Sequence, residues 1–262
     1  MKITRVLLSA NDNPIYNQFW NPISRVYAEK FGIKPTLIWF GENSDIDRLG
    51  LSTEYGDIAV YPINPKHHIG WQSAWALFWC MKLYPEDTFC TMGIDQVPLS
   101  GMLFKDVIKD IDSESYVMLA DNGYEPSHWA NTGGTSPTSF HILKGSTAQK
   151  VYGFEETFEA ELAKIVDSGV VPYYDLQTKW GLDESYSSHK LRQYRDSGGK
   201  IDSLSMFKTI CENRIECCRV NEIAYDKIRL NLGGYGDAHF CRPFSDHQIY
   251  IENILNLIPV CL

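Results

Sequence analysis

Five short segments of this 262-residue chain hold side chains whose types and spacing can do chemistry. Gly93-Ile94-Asp95-Gln96-Val97-Pro98-Leu99-Ser100 sets one carboxylate, Asp95, just after an apolar run, with Pro98 close behind. An acid at the end of a buried strand can be a helix cap, a turn former or a metal ligand. Residues 236–244 carry His239 and Arg242 beyond a Gly-rich stretch. A lone histidine is as a rule structural or exposed, whereas a guanidinium can grip a phosphate with two parallel bonds or form an ordinary salt bridge. Asp183 and Glu184 open a helical pattern, where the helix dipole favours acids and where a carboxylate can also take a proton from a hydroxyl. Ser9, Asn11, Asn13 and Tyr16 follow the first apolar run. They read as a polar turn broken by Pro14, or as donors and acceptors for a base edge with Tyr16 as a stacking ring. In Lys66-His67-His68-Ile69-Gly70-Trp71-Gln72, a helix starting near Gly70 would aim free N–H groups at an anion, and Trp71 and Gln72 are candidates for sugar or nucleotide contact.

These residues need elements to hold them. β-rich or apolar runs at 3–9, 36–40, 57–63, 88–92 and 116–119 predict strands. Helical spacing predicts helices over 15–31, stopped by Gly32, and over 70–83, ended by Pro85. Ser100 reads as the N-cap of a helix through Ile111. Strands alternating with helices over the first 120 residues imply an α/β fold with a mostly parallel sheet, whose ligands bind beyond the carboxyl ends of the strands. Those ends are 9–11, 40–42, 92–95 and 120–122. The second half is less regular: a loop at 131–137, a strand at 140–143, helices at 158–166, 180–191 and 246–257, and a Gly-rich stretch at 231–236. No repeat or linker divides the sequence, so one domain over 1–262 is the simplest expectation.

Composition narrows the partners. Hydrophobic residues are 44% and charged residues 22%, ordinary for a chain with a real core. The net charge of −9 repels nucleic acid and anionic membrane, so a phosphate-bearing substrate would need local positive groups or a metal. The seven cysteines show no scaffold or zinc spacing and read as reduced thiols, which with the absence of a leader-like start implies a cytoplasmic location. No apolar run approaches the ~20 residues that span a bilayer, so any membrane association would be peripheral. The sequence has no GxxxxGK[ST], no GxGxxG after the first strand and no GxSxG, which disfavours kinases, Rossmann dehydrogenases and α/β-hydrolases.

The segment at Asp95 resembles the Asp-x-Asp element of glycosyltransferases with the GT-A fold, in the form acid–apolar–acid–x–apolar–Pro–Leu–Ser. Asp95 falls on the second acid, and Gly93 stands where the first acid is usual. His239 matches the C-terminal histidine that such enzymes bring to the same ion, and 180–184 is similar to their Trp-x-x-Asp-Glu element under the acceptor. The resemblance implies a mixed, mostly parallel central sheet flanked by helices, with a nucleotide-sugar half at about 1–120 and an acceptor half at about 121–262. It implies transfer of a sugar, a hexose or pentose, from a nucleotide-sugar donor to a hydroxyl of a glycan or similar acceptor. Mn²⁺ or Mg²⁺ held by Asp95 and His239 would bridge the donor phosphates. Ser9, Asn11, Asn13, Tyr16, Trp71, Gln72, Asp95, Gln96 and Arg242 would bind the nucleotide-sugar. Asp183 or Glu184 would be the general base, the positioned carboxylate favouring inversion. Gly93 removes one ligand and puts the ion in question. The alternatives are a sugar nucleotidyltransferase, which Ser9 to Pro14 opposes by lacking glycines and basic residues, and a non-catalytic carbohydrate- or nucleotide-sugar-binding protein.

Overall fold

The computed structural model describes residues 1–101, 103–118, 140–172, 179, 181–203, 215–216 and 225–261. In chain order the elements are β1 (Arg5–Asn11), α1 (Trp20–Phe31), β2 (Lys34–Phe40), α2 (Asn43–Arg48), β3 (Asp57–Tyr61), α3 (Ile69–Trp79), β4 (Thr88–Thr91) and β5 (Gln96–Pro98). They continue with β6 (Tyr116–Met118), β7 (His141–Lys144), α4 (Gly145–Tyr152), α5 (Phe158–Asp167), α6 (Leu182–Asp196), β8 (Ile201–Ser203), β9 (Ile215–Glu216), α7 (Lys227–Asn231), β10 (Asp237–His239) and α8 (Phe244–Leu257). Two compact units emerge: Met1–Pro62, Met92–Asp110 and Lys208–Leu262 form the first, Ile63–Thr91 and Ile111–Phe207 the second. Their segments interleave along the sequence, so neither is a continuous half.

In the first unit β1 pairs in parallel with β2, and β2 with β3. The register sets Asn11 beside Phe40 and Phe40 beside Tyr61, so the three carboxyl ends lie flush. Every residue of β2 but Lys34 is buried, which is why it reads as an unbroken apolar run rather than an alternation. Helix α1 packs on β2 through its Trp20, Ile23, Val26 and Tyr27 face. It stops at Gly32, which takes φ 63° and returns its N–H to Ala28 O, a left-handed cap that glycine adopts without strain. A second ladder runs β5–β10–β9, antiparallel between β5 and β10 and parallel between β10 and β9. Phe19 stacks on Phe240 at 6.4 Å and meets Phe244 edge-on at 5.4 Å, which fastens the chain after β10 to the approach to α1.

The second unit holds the strand order β4–β7–β6–β8, with β7 antiparallel to both neighbours and β6 parallel to β8. Its sheet is thus mixed, while β1, β2 and β3 of the first unit are all parallel. Its centre is aromatic: Trp75 of α3 meets Tyr152 and Tyr186 edge-on at 5.1 Å each. A buried chain of hydrogen bonds runs through this core. The Tyr116 hydroxyl bonds His141 Nδ1 at 2.6 Å and the Tyr152 hydroxyl at 2.7 Å, and the latter bonds Ser187 Oγ at 2.9 Å. Burial pushes both phenols far above their ordinary range, so they stay neutral donors. Tyr152→Phe keeps the ring but strips a partner from two buried hydroxyls. It is expected to lower unfolding free energy by about 1–3 kcal/mol, read by urea denaturation with an unchanged m-value.

Two expectations change. The helix foreseen from Ser100 to Ile111 is instead a five-residue π-type turn, Leu103–Val107. Phe104 packs against Phe31 at 5.0 Å, and Lys109 O accepts from the N-terminal ammonium at 3.0 Å, so tertiary contacts take the groups a longer helix would use. The helix over 70–83 ends at Trp79 and tightens into a 3₁₀ turn at Cys80–Leu83. The strand end at 120–122, the loop at 131–137 and Trp180 lie outside the described residues. Cys80, Cys90, Cys241 and Cys261 are free thiols. Among the described residues no helix is long and apolar enough to cross a membrane.

Candidate functional site

Eight of the sequence-marked residues belong to the first unit: Ser9, Asn11, Asn13, Tyr16, Asp95, Gln96, His239 and Arg242. Trp71, Gln72, Asp183 and Glu184 belong to the second.

Strands β5 and β10 bring Asp95 to His239. Their antiparallel register sets His239 opposite Gln96 and Ala238 opposite Val97. Phe240 N–H continues the ladder onto Asp95 O at 2.9 Å, and Leu99 N–H closes the other end on Gly236 O. Asp95 is therefore held through its backbone before its side chain is considered. The carboxylate is the buried floor of the cluster, its side chain only 9% exposed. His239 Nε2 stands 3.4 Å from Asp95 Oδ2, and Arg242 Nε stands 3.3 Å from the same oxygen. The guanidinium then reaches further. Its Nη1–H donates to the Tyr16 hydroxyl, and its carbon lies 5.1 Å from the centre of the Tyr16 ring. One arginine thus ties the acid to the loop that leaves β1.

That loop is self-bonded. Asn11 Oδ1 accepts from Asn13 N–H and Asn13 Oδ1 from Ile15 N–H, both at 3.0 Å, the polar-turn geometry foreseen for this stretch. Ser9 is half-buried within β1. Arg48 of α2 adds a second fastening, donating to Asp12 at 2.7 Å and to Asp45 at 2.6 Å. The Arg48 hydrogen bond holds the Asp45 carboxyl below the usual carboxylate range. The only sequence sign of Arg48 is its i,i+3 spacing from Asp45, an ordinary surface pattern.

Gly93 is where the structure departs most from a two-acid motif. Its N–H donates to Gln96 Oε1 at 3.2 Å. A Cβ at position 93 would lie 2.9 Å from that oxygen and 3.1 Å from Asp95 Oδ1. The Gln96 amide therefore fills the space beside Asp95 that a neighbouring side chain would claim. As a resident divalent-ion site the set is poor. Two protein donors meet at one carboxylate, and among the described residues no three His, Cys, Asp or Glu gather into a metal-holding group. An ion on Asp95 Oδ2 would also share that oxygen with the Arg242 cation, and like unit charges 4 Å apart near a protein surface repel by about 4 kcal/mol.

In the second unit, α6 starts after Gly181, which takes φ 81°, and its first turn carries Asp183 and Glu184. Asp183 is buried and Glu184 half-buried. One turn on, Ser187 ends the buried Tyr116–Tyr152 chain, which fixes the helix that carries the two acids. Gln72 is spent on structure: Nε2 donates to Asn64 O at 3.2 Å and His67 O at 3.0 Å, while Oε1 accepts from Asn64 N–H at 3.1 Å. Trp71 is buried, with His67 edge-on at 5.2 Å. Desolvation, then Lys179 and Lys66, lowers the His67 pKa, so that ring is a weaker cation than an ordinary histidine. His68 caps α3 by accepting from Gly70 N–H at 3.1 Å, which occupies a group that an anion would have used.

No protein-family model matches the sequence, and no curated protein does. Among solved structures the chain is similar to the glycosyltransferase GlyE of Streptococcus pneumoniae TIGR4, at 13% identity over 98% of this chain and 63% of that one, with a TM-score of 0.47. The apo form of GlyE gives 10% identity over the same shares and a TM-score of 0.49. The bifunctional glycosyltransferase WbbM, in its apo structure, gives 12% identity over 97% of this chain and 50% of that one, with a TM-score of 0.49. The chain therefore spans between half and 63% of the length of these proteins.

Proposed function

We propose that the chain transfers a sugar from a nucleotide-sugar donor to a hydroxyl of a glycan or similar acceptor. The observation that carries this reading is the convergence of Asp95, His239, Arg242 and Tyr16, drawn from three distant parts of the sequence, on the loop that leaves the carboxyl end of a parallel strand. Ligands of open α/β sheets bind at that edge. In this reading Ser9, Asn11, Asn13 and Tyr16 meet the base and ribose, and the Asp95 cluster meets the diphosphate. Asp183 or Glu184 takes the proton of the acceptor hydroxyl. The acceptor oxygen then bonds the anomeric carbon as the bond from that carbon to the diphosphate oxygen breaks, and the nucleoside diphosphate leaves with the electron pair. A single attack from the face opposite the leaving group inverts the anomeric centre. Trp71 and Gln72 serve by shaping the 64–72 turn, and no step is routed through a metal ion.

The test is a panel of UDP-, GDP- and dTDP-sugars, with thermal shift for binding and slow hydrolysis for turnover. A true donor at a hundred times its Kd is expected to stabilise the fold by about 2.7 kcal/mol. Neither stabilisation nor hydrolysis with any of the panel overturns the reading.

A further inference from the structure

We propose that this site compensates the charge of the donor diphosphate with the anchored guanidinium of Arg242 rather than with a divalent cation. The inference rests on the donor reading above and concerns how that donor is held.

Four observations converge. Asp95 is the only carboxylate of its segment, and the space beside it belongs to the Gln96 amide. Its Oδ2 is shared by His239 and Arg242, so the carboxylate already has cationic company. Arg242 is fixed along two directions, Nε on Asp95 and Nη1 on Tyr16, with the Tyr16 ring beneath the guanidinium. The exposures then rank the cluster from floor to mouth: the Asp95 side chain is 9% exposed, His239 16% and Arg242 29%. A ligand arriving from solvent meets the guanidinium before the acid.

The physical consequence is a pre-set phosphate fork. A guanidinium has five N–H donors in a plane, and its geometry matches phosphate oxygens. An arginine held by a carboxylate and a phenol loses little conformational freedom when it engages a ligand, which is how a single cation gains affinity in an acidic protein. Asp95 in this scheme is a positioning residue: it does not ligate the diphosphate but aims the group that does. As the bond to the anomeric carbon breaks, charge builds on the departing diphosphate, and the fixed donors of Arg242 are already there to receive it.

The experiment measures affinity for UDP, GDP and dTDP and their sugars by calorimetry, and turnover by hydrolysis, each with EDTA and with added Mn²⁺. The expected result is that binding and turnover are the same in both. Arg242→Ala is expected to weaken diphosphate binding about 10- to 100-fold, with affinity for the matching free nucleoside unchanged. Arg242→Lys, which keeps the charge but not the fork, recovers only part of the loss. Tyr16→Phe, which frees one end of the guanidinium while keeping a ring for the base, weakens diphosphate binding alone. Should Arg242→Ala fail to fold by circular dichroism, the lysine and phenylalanine variants carry the test. Binding or turnover that appears only with Mn²⁺ overturns the inference and leaves the donor reading standing. Diphosphate affinity unaffected in the Arg242 and Tyr16 variants overturns it as well. Failure of every nucleotide-sugar to bind in either condition overturns both.

Discussion

Replacing Asp95 by Asn is expected to cut turnover of the nucleotide-sugar donor by about 100-fold or more and to lower the melting temperature by several degrees. The asparagine has the same shape, so the packing around position 95 is kept. The backbone bond from Phe240 N–H to residue 95 is also kept, and with it the β5–β10 ladder. What goes is the charge. His239 Nε2 and Arg242 Nε both face one oxygen of this carboxylate, and an amide oxygen holds neither as firmly. Arg242 then keeps only its Tyr16 anchor among the contacts described above. Truncating one partner of a hydrogen-bonded, largely desolvated charge pair costs about 2–5 kcal/mol, and every 1.36 kcal/mol on the barrier is tenfold in rate. Initial rates of donor hydrolysis beside a thermal melt give both quantities from one preparation. Full activity in the variant would remove Asp95 from the site.

The largest effect on stability is expected at Glu161, in the second unit. Its side chain is fully buried, and each carboxylate oxygen is in use. Oε1 accepts from Trp75 Nε1 at 3.1 Å, and Oε2 from Glu155 N–H at 2.8 Å and Lys164 Nζ at 2.7 Å. The residue ties α5 to the loop before it and to the tryptophan at the centre of the unit. Glu161→Ala strands a buried indole N–H and a backbone N–H, and leaves Lys164 without its acid. The expected loss is about 3–5 kcal/mol, a large part of the 5–15 kcal/mol that a typical domain possesses. Glu161→Gln, which retains one acceptor oxygen, should fall between. Glu156→Ala on the exposed loop should stay within about 0.5 kcal/mol of the parent. Guanidinium denaturation followed by tryptophan fluorescence ranks the three; equal stability of Glu161→Ala and Glu156→Ala would rule the account out.

Strand β2 was legible because burial on both faces writes a plain signal. Thr36-Leu37-Ile38-Trp39-Phe40 cannot be a surface helix, and Gly32 marks a helix end by the conformation that only glycine adopts cheaply. The elements that build the site were not legible as structure. Strands β5 and β10 are three residues each, too short to show alternation, and β5 contains Pro98. Only their pairing with one another sets the register that carries His239 to Asp95. Resemblance to a sequence motif joins these two residues as ligands of one ion; in the structure His239 Nε2 lies 3.4 Å from Asp95 Oδ2, with Arg242 on the same oxygen. The bond from Arg242 to Tyr16 left no trace in the sequence, because 226 positions separate the two residues. Helix α4 was hidden for a different reason. It opens on Gly145, normally a breaker, because a Cβ there would come within 2.5 Å of Met81 O and Tyr84 O. Gln72 shows what residue types leave out: its side chain bonds Asn64 and His67 inside its own turn, partners that the sequence does not announce.

The interleaving of the two units bears on how the protein is made. The first unit takes residues from Met1–Pro62, then Met92–Asp110, and finally Lys208–Leu262. During synthesis β1, β2 and β3 can pair as soon as they clear the ribosome, since they are near neighbours in sequence. Asp95 must wait. Its imidazole and guanidinium partners and the strand that holds it arrive only when residues 237–242 emerge, after the second unit has all its own segments. Closing so long a loop is slow in kinetic terms even though its entropic cost grows only as the logarithm of its length. The nascent chain therefore passes through a stage in which its parallel strands are formed and the Asp95 cluster is not, and the proposed site is completed last.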